Sequence, residues 1–486
     1  MNVCFLWWGY TAKRMDGISQ CVFSRSIIQS VNKVRSDVHW IFFHPDEESE
    51  IQVDGFFDGL DIEFLPFTCH GAEARKGQDG FNGVAPPLFH PEMLQWLASK
   101  DSRRVDLFVS WYYTANQQLA AQMMPHDFGG NKYVFPHISP SILNFLSESG
   151  ADKNLPKLGS PEGELQSITS ALASDLTLNF TEADQGWLTK LAKQYLSPVK
   201  QQQLNARSFI PSMPSDEVPV HKRPEERATF GHAGSMESKR HWSDLAKSVK
   251  SACVGKKNVG FYCMTQQDLD TETHDVICGM RENLGERLTF LTNVKRADYI
   301  ENLKNIDFYL MWTEYEGTGI ALFEAIFSGA VPVIREKPWN KGRFPDYPLI
   351  AQSDKDFDLL VHLCARNPKK VKDQVKTWLE GYRERFSLEN IGHFWSDVLE
   401  ECYVRQGDRF RASGAVARLD VVFGEVMKEN AGKEVTLPVF YDMACKKALK
   451  EEFMSAFLKS NRISIERALF ATGCLVRKDE SIFIKE

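Results

Sequence analysis

Twice along this chain, short apolar runs of strand length alternate with longer stretches of helical period. The first block opens with "VCFLWW", and after Gly17 an amphipathic stretch runs from Ile18 to Val31. "HWIFFHP", "DIEFLPF", "VDLFVSW", "KYVFPH" and "DLTLNF" follow as strand candidates, with helix or loop between them. The second block begins at "ATFGHAG", continues with a helical stripe of Trp242, Leu245, Ala246, Val249 and Cys253, and adds the strands "NVGFYCM", "RLTFLTNV", "DFYLMW" and "AVPVIRE". Parallel strands need crossover connections, and helices supply them, so this alternation predicts parallel sheets covered on both faces. Two such blocks predict an α/β protein of two Rossmann-like, doubly wound domains. They would face a cleft at the carboxyl ends of their strands, where open α/β sheets take ligands.

Between the blocks, "FIPSMPSDEVPVHKRPEER" (209–227) has the proline and charge content of a linker. The expected division is 1–208, 209–405 and a C-terminal extension over 406–486. The extension lacks the alternation, reads as mostly helical, and ends on a hairpin expected at "CLVRKDESIFIKE". Polar, Gly/Pro-rich inserts at 70–87 and 147–163 read as loops. Their parts at 75–87 and 153–163 could form a lid or be plain surface loops.

At 486 residues there is ample length for large cores, and a net charge of −7 argues against a general affinity for nucleic acid. Ten cysteines are scattered without a CxxC pair, which fits buried thiols in a reducing compartment. "MNVCFLWWGY" lacks a charged leader region, and no apolar run reaches the roughly 18 residues a membrane span needs. A cytoplasmic protein is the expectation.

One segment concentrates chemistry. "EYEGTGIALFEAIFSGAVPVI" (314–334) parses as loop, helix, left-handed turn at Gly329 and strand, with Glu316 and Glu324 separated by seven residues. Gly317 and Gly319 let backbone approach a ligand closely at a helix start whose N–H groups and dipole favour a diphosphate. Read alone, the glutamates could equally be dipole partners and the glycines a turn.

The segment resembles the hallmark of the large retaining group of GT-B glycosyltransferases that includes glycogen-synthase-like and bacterial polysaccharide enzymes. "EGTGIALFEAIFSGAVPV" matches both glutamates, both early glycines, the following alanine, the later glycine and the "PV" strand, and "VKRADYIENLKNIDFYLMWT" resembles the lead-in. The resemblance spans about 1–405. It implies a GT-B architecture, with Glu316 against the donor sugar, Glu324 on the nucleotide ribose, and Gly317, Thr318 and Gly319 along the sugar and diphosphate. In "FGHAGSMESKRHW" His232 holds the usual arginine position at a longer spacing, leaving Lys239 or Arg240 as the clamp for the leaving diphosphate. "NKYVFPHISPSI" resembles the strand whose terminal histidine, here His137, faces the sugar. Thr181 and Glu182 resemble a helix-starting segment that capping alone explains. Gly17 matches the family's first glycine-rich loop without its glycine pair. "FSLENIGHFWSDVLEE" resembles the last helix, which crosses back onto the first domain.

The activity so implied is retaining transfer of a hexose-type sugar from a UDP- or GDP-sugar to a hydroxyl acceptor. It needs no metal or other cofactor, and the leaving phosphate takes the acceptor proton. A two-carboxylate glycosidase would not explain the glycine loop. A GT-B epimerase or a non-catalytic nucleotide-sugar-binding module are the alternatives, and nucleic acid is not the expected acceptor. Peripheral membrane or oligomer contact through the extension stays open.

Overall fold

The computed structural model describes residues 1–6, 19–45, 57–67, 106–110, 137–140, 164, 168, 171, 174–211, 218–234, 241–265, 271–314, 316, 319–404, 425–448, 475–478 and 481–484. In the first half, strands β1 (Asn2–Leu6), β2 (His39–Pro45), β3 (Ile62–Phe67), β4 (Leu107–Ser110), β5 (His137–Pro140), β6 (Leu176–Leu178) and β7 (Ser208–Phe209) form one parallel sheet in the order β3-β2-β1-β4-β5-β6-β7. Helices α1 (Ser19–Val34), α2 (Glu182–Tyr195) and α3 (Pro198–Arg207) accompany it. The second half repeats the plan. Strands β8 (Ala228–Ala233), β9 (Val259–Met264), β10 (Leu288–Leu291), β11 (Phe308–Met311), β12 (Val331–Arg335) and β13 (Ile350–Ala351) run parallel in the order β10-β9-β8-β11-β12-β13. Helices α4 (Trp242–Ala252), α5 (Thr271–Leu284), α6 (Arg296–Asn302), α7 (Ile320–Phe327), α8 (Asp354–Arg366), α9 (Pro368–Arg385) and α10 (Leu388–Val404) belong to this stretch of chain. Both sheets reverse their winding beside the first strand, as doubly wound folds do.

Apolar runs become strands here because both faces are covered. Phe5, Trp40 and Phe42 are buried and stacked, with ring centroids 5.8 Å (Phe5–Trp40) and 6.2 Å (Phe5–Phe42) apart. In the second sheet Phe230 lies 5.6 Å from its register partner Phe308. At Gly231 a Cβ would stand 2.5 Å from Ile306, so glycine is what lets that segment close on β8.

The two halves interlock at α10. Trp395 is wholly buried, 5.8 Å edge-on from Phe23 of α1 and 6.1 Å from Phe209 of β7. Gly392 is where α10 meets α1, since a Cβ there would collide with the Ser30 carbonyl. Arg35 at the end of α1 donates to Ser396 Oγ at 3.2 Å.

Opposite the carboxyl ends of the second-half strands, the linker is tied down by charge. Arg223 donates to the carbonyls of Ile306 (2.6 Å), Leu303 (2.9 Å), His221 (3.0 Å) and Ser328, and to Ser328 Oγ at 2.8 Å. Burial pushes its pKa down to about 10 although Asp307 pulls the other way. Asp307 is wholly buried and accepts from Arg227 at 2.7 Å, the Thr229 amide at 2.9 Å and Lys372 at 3.2 Å.

The extension supplies α11 (Leu437–Ala448) and an antiparallel sheet of β14 (Glu434–Val435), β15 (Leu475–Lys478) and β16 (Ser481–Ile484), whose β15–β16 pair is the expected hairpin. Among the described residues no helix is long and apolar enough to cross a membrane.

Candidate active site

Strand β11 lies beside β8 where the winding reverses, and the chain leaving its carboxyl end carries Trp312, Thr313, Glu314 and Glu316 before α7 begins. Gly319 makes the turn into that helix with φ +68°, a left-handed geometry that costs a non-glycine residue. A Cβ there would also stand 3.3 Å from the Trp339 ring, which is held by its Nε1–H bond of 2.8 Å to the Thr313 carbonyl. Gly319→Ala is therefore expected to lose about 1–2 kcal/mol of stability, measured by chemical denaturation. An unchanged midpoint would show that the loop relaxes freely.

Helix α7 buries Leu322, Phe323, Ala325 and Ile326, and it buries Glu324 with them, at 1% exposure. A carboxylate so placed needs a cation, because ionised groups out of water are costly unless paired. Arg296, the first residue of α6, supplies it: its Nη2 bonds Glu324 Oε1. The same guanidinium lies 5.3 Å from the Tyr299 ring. Burial, and then the nearby Glu324 charge, push the Tyr299 phenol well above its ordinary range. Arg296 was not singled out in the sequence. The readable signal was a glutamate inside an otherwise apolar helical stretch, which requires a cation but does not say which one.

A second cluster gathers around Glu314, which leaves the same strand end. His241 precedes α4 in a left-handed conformation (φ +47°), stacks on Trp312 at 5.5 Å, and places Nε2 2.7 Å from Glu314 Oε1. Lys337, after β12, also bonds Glu314. Burial alone would raise the Glu314 carboxyl, but Lys337 and His241 hold it below its usual range.

The other residues marked in the sequence are placed as follows. Glu316 is half-buried at the loop edge, within the electrostatic reach of Arg343. His232 is wholly buried between Tyr309 (5.9 Å) and Trp242 (6.0 Å), with Nδ1 3.0 Å from the Leu310 carbonyl, so it sits in the layer between sheet and helix. His137 differs from expectation: the strand does not end at it. The strand continues to Pro140 because Ile138, Ser139 and Pro140 pair with Leu176, Thr177 and Leu178 of β6. Thr181 caps α2 in a capping box with Asp184, accepting from its amide at 3.0 Å. Gly17, Lys239, Arg240, Gly317 and Thr318 lie outside the described residues. Among the described residues no group of three or more His, Cys, Asp or Glu could hold a metal ion.

No protein-family model matches the chain. A curated relative, the tRNA-queuosine alpha-mannosyltransferase of Drosophila melanogaster, is 24% identical over 123 residues, which covers 25% of this chain and 32% of the relative. The match thus spans about a third of that protein's length. Among solved structures, TarM superposes with a TM-score of 0.58 at 10% identity, covering 82% of this chain and 98% of TarM. The pneumococcal O-GlcNAc transferase GtfA, solved with UDP and GlcNAc, gives 0.56 at 12% identity, over 83% of this chain and 99% of its own. Anabaena HepE with UDP gives 0.55 at 12% identity, over 82% and 100%. Two parallel sheets wound in the same order, superposing on nearly the whole length of each of these solved chains, are the GT-B glycosyltransferase fold, and this chain has it.

Proposed function

We propose that this protein is a retaining glycosyltransferase that moves a hexose-type sugar from a nucleotide-diphosphate donor to a hydroxyl acceptor. The observation that carries the reading is Glu324, a buried carboxylate held by Arg296 on the helix that leaves the crossover point, one loop away from Glu316. A carboxylate fixed by an arginine accepts hydrogen bonds from a vicinal diol without having to be oriented first, which suits the ribose of a nucleotide. Glu316 would then border the sugar. Breaking the anomeric bond leaves charge on the diphosphate, and Lys239, Arg240 and the amides at the start of α7 would stabilise it. Well-placed donors of this kind contribute about 3–4 kcal/mol each, by analogy with oxyanion holes. The leaving phosphate would take the acceptor proton, so Glu316 orients the sugar instead of forming a bond to it. The first half would carry the acceptor.

The curated match favours one specific version, in which the sugar is mannose and the acceptor is a nucleoside in tRNA. A net charge of −7 would then require a local basic surface to hold the RNA.

The test is a thermal-shift and hydrolysis panel of UDP-, GDP-, ADP- and CMP-sugars with and without EDTA, followed by tRNA and oligosaccharide acceptors with whichever donor binds. A donor at 100 times its dissociation constant should stabilise the protein by about 2.7 kcal/mol. No shift with any donor would remove the transferase reading. A shift with neither hydrolysis nor transfer would leave a binding module.

A further inference from the structure

We propose that Arg343 is a positioning residue that anchors the Glu316 loop of the donor half to the first half, and so sets the sugar-binding carboxylate relative to the acceptor side. The inference rests on the transferase reading above for its catalytic consequence, but the anchor itself is a matter of contacts. Arg343 lies on the loop between β12 and β13, yet its Nη2 donates to the carbonyl of Phe180, at the carboxyl end of β6 in the first half. On its own side the guanidinium lies 5.7 Å from the Trp339 ring. Trp339 in turn is bonded to Thr313 and packs where Gly319 turns into α7. The segment therefore runs unbroken from the first half, through Arg343 and Trp339, to the two ends of the loop that carries Glu316.

Charge favours the same seam. Around the Arg343 guanidinium lie Asp184 and Glu182 from the start of α2 in the first half, and Glu316 and Tyr382 from the donor half. Glu182 also packs against Gly342, where a Cβ would stand 2.8 Å from its Oε2. A cation between acids of both halves is satisfied only when the halves are together. An arginine fits this place because its planar fork can serve a carbonyl and neighbouring carboxylates at once, which a lysine ammonium does less well.

The loop holds its own shape without Arg343. Asn340 closes it by accepting from the Lys337 amide at 2.9 Å and donating to the Arg335 carbonyl at 3.0 Å. Removing the guanidinium should therefore release the seam without unfolding the loop, and a small misplacement of an orienting group is costly in rate.

The experiment compares wild type with Arg343→Ala, Arg343→Lys and Arg343→Met. Binding of UDP and GDP is measured by calorimetry, turnover by nucleotide release from UDP-glucose and GDP-mannose, and the separation of the halves by small-angle scattering. The expected result is nucleotide affinity within about 3-fold of wild type, kcat at least 10-fold lower in Arg343→Ala and Arg343→Met, and partial rescue in Arg343→Lys. The scattering radius should rise in the unliganded Arg343→Ala protein. Unchanged kcat in folded protein, or affinity and kcat falling together, would overturn the positioning role. If wild type binds neither nucleotide and turns over neither sugar, the transferase reading loses its support. The scattering comparison alone then decides the anchor, and an unchanged radius overturns it.

Discussion

Glu324→Ala is expected to abolish nucleotide-sugar binding and to destabilise the fold at the same time. The two losses have one origin. Glu324 is 1% exposed, and Arg296, its partner, keeps only 13% of its side-chain exposure. Removing the carboxylate leaves a largely buried cation without the counter-charge it bonds, a change that costs about 3–5 kcal/mol when one member of a buried pair is deleted. The double variant Arg296→Met/Glu324→Leu separates the effects. Replacing a buried pair by apolar residues of similar volume is often neutral, so stability should return toward wild type. Donor binding should not, because the diol acceptor is still missing. Chemical denaturation and calorimetry with UDP and GDP read the two quantities. A double variant that binds nucleotide normally would show that Glu324 is a structural residue.

Arg223→Ala is the second large effect, and it should have the opposite signature: a loss of about 3 kcal/mol in stability with donor affinity unchanged in the folded protein. Arg223 serves Leu303 and Ile306, which lead into β11, and Ser328, which leads into β12. These are the amino ends of the strands, while the glutamate loop leaves the carboxyl end of β11. Hydrogen bonds to a charged donor contribute about 1.5–3 kcal/mol each, but water can reach this half-buried site and recover part of the loss. Arg223→Lys should restore less than half, since an ammonium cannot reach carbonyls on three sides in one plane. A drop in donor affinity equal to that of Glu324→Ala would mean that the linker and the site are mechanically one unit.

What could be read from the sequence follows from which signals are local. The strands were legible because a strand buried on both faces must be apolar throughout, and "NVGFYCM" and "AVPVIRE" admit little else. Gly329 was legible as a left-handed turn after α7, and its φ is +96°. The glutamate pair was legible because its spacing within one helix and loop is fixed by the chain itself. Arg296 was not, since it meets Glu324 only after a strand, a helix and a loop have been packed. Arg343 was hidden for the same reason, in a loop whose composition suggests only a turn. His137 was placed at a strand end by the resemblance of its segment to a family strand, but pairing with β6 carries the strand three residues further. The charge expected from Lys239 and Arg240 falls on residues outside those described. Among the described residues, Lys337 and Arg296 are the cations bonded to Glu314 and Glu324.

Trp395 has a consequence for how this protein can be cut. Linear reading divides the chain near 208 and again near 405, as though each piece were a module. Yet the residue that fills the space between α1 and β7 is encoded almost two hundred positions later, on α10. A fragment ending at the linker would present to water the faces of Phe23 and Phe209 that Trp395 covers, an invitation to aggregate or to borrow α10 from a neighbouring copy. The reciprocal fragment would carry a helix with an unburied tryptophan. The separable unit is therefore not either half but a noncontiguous one, the first half together with α10, and a split-protein design or a half-domain swap would have to carry that helix along.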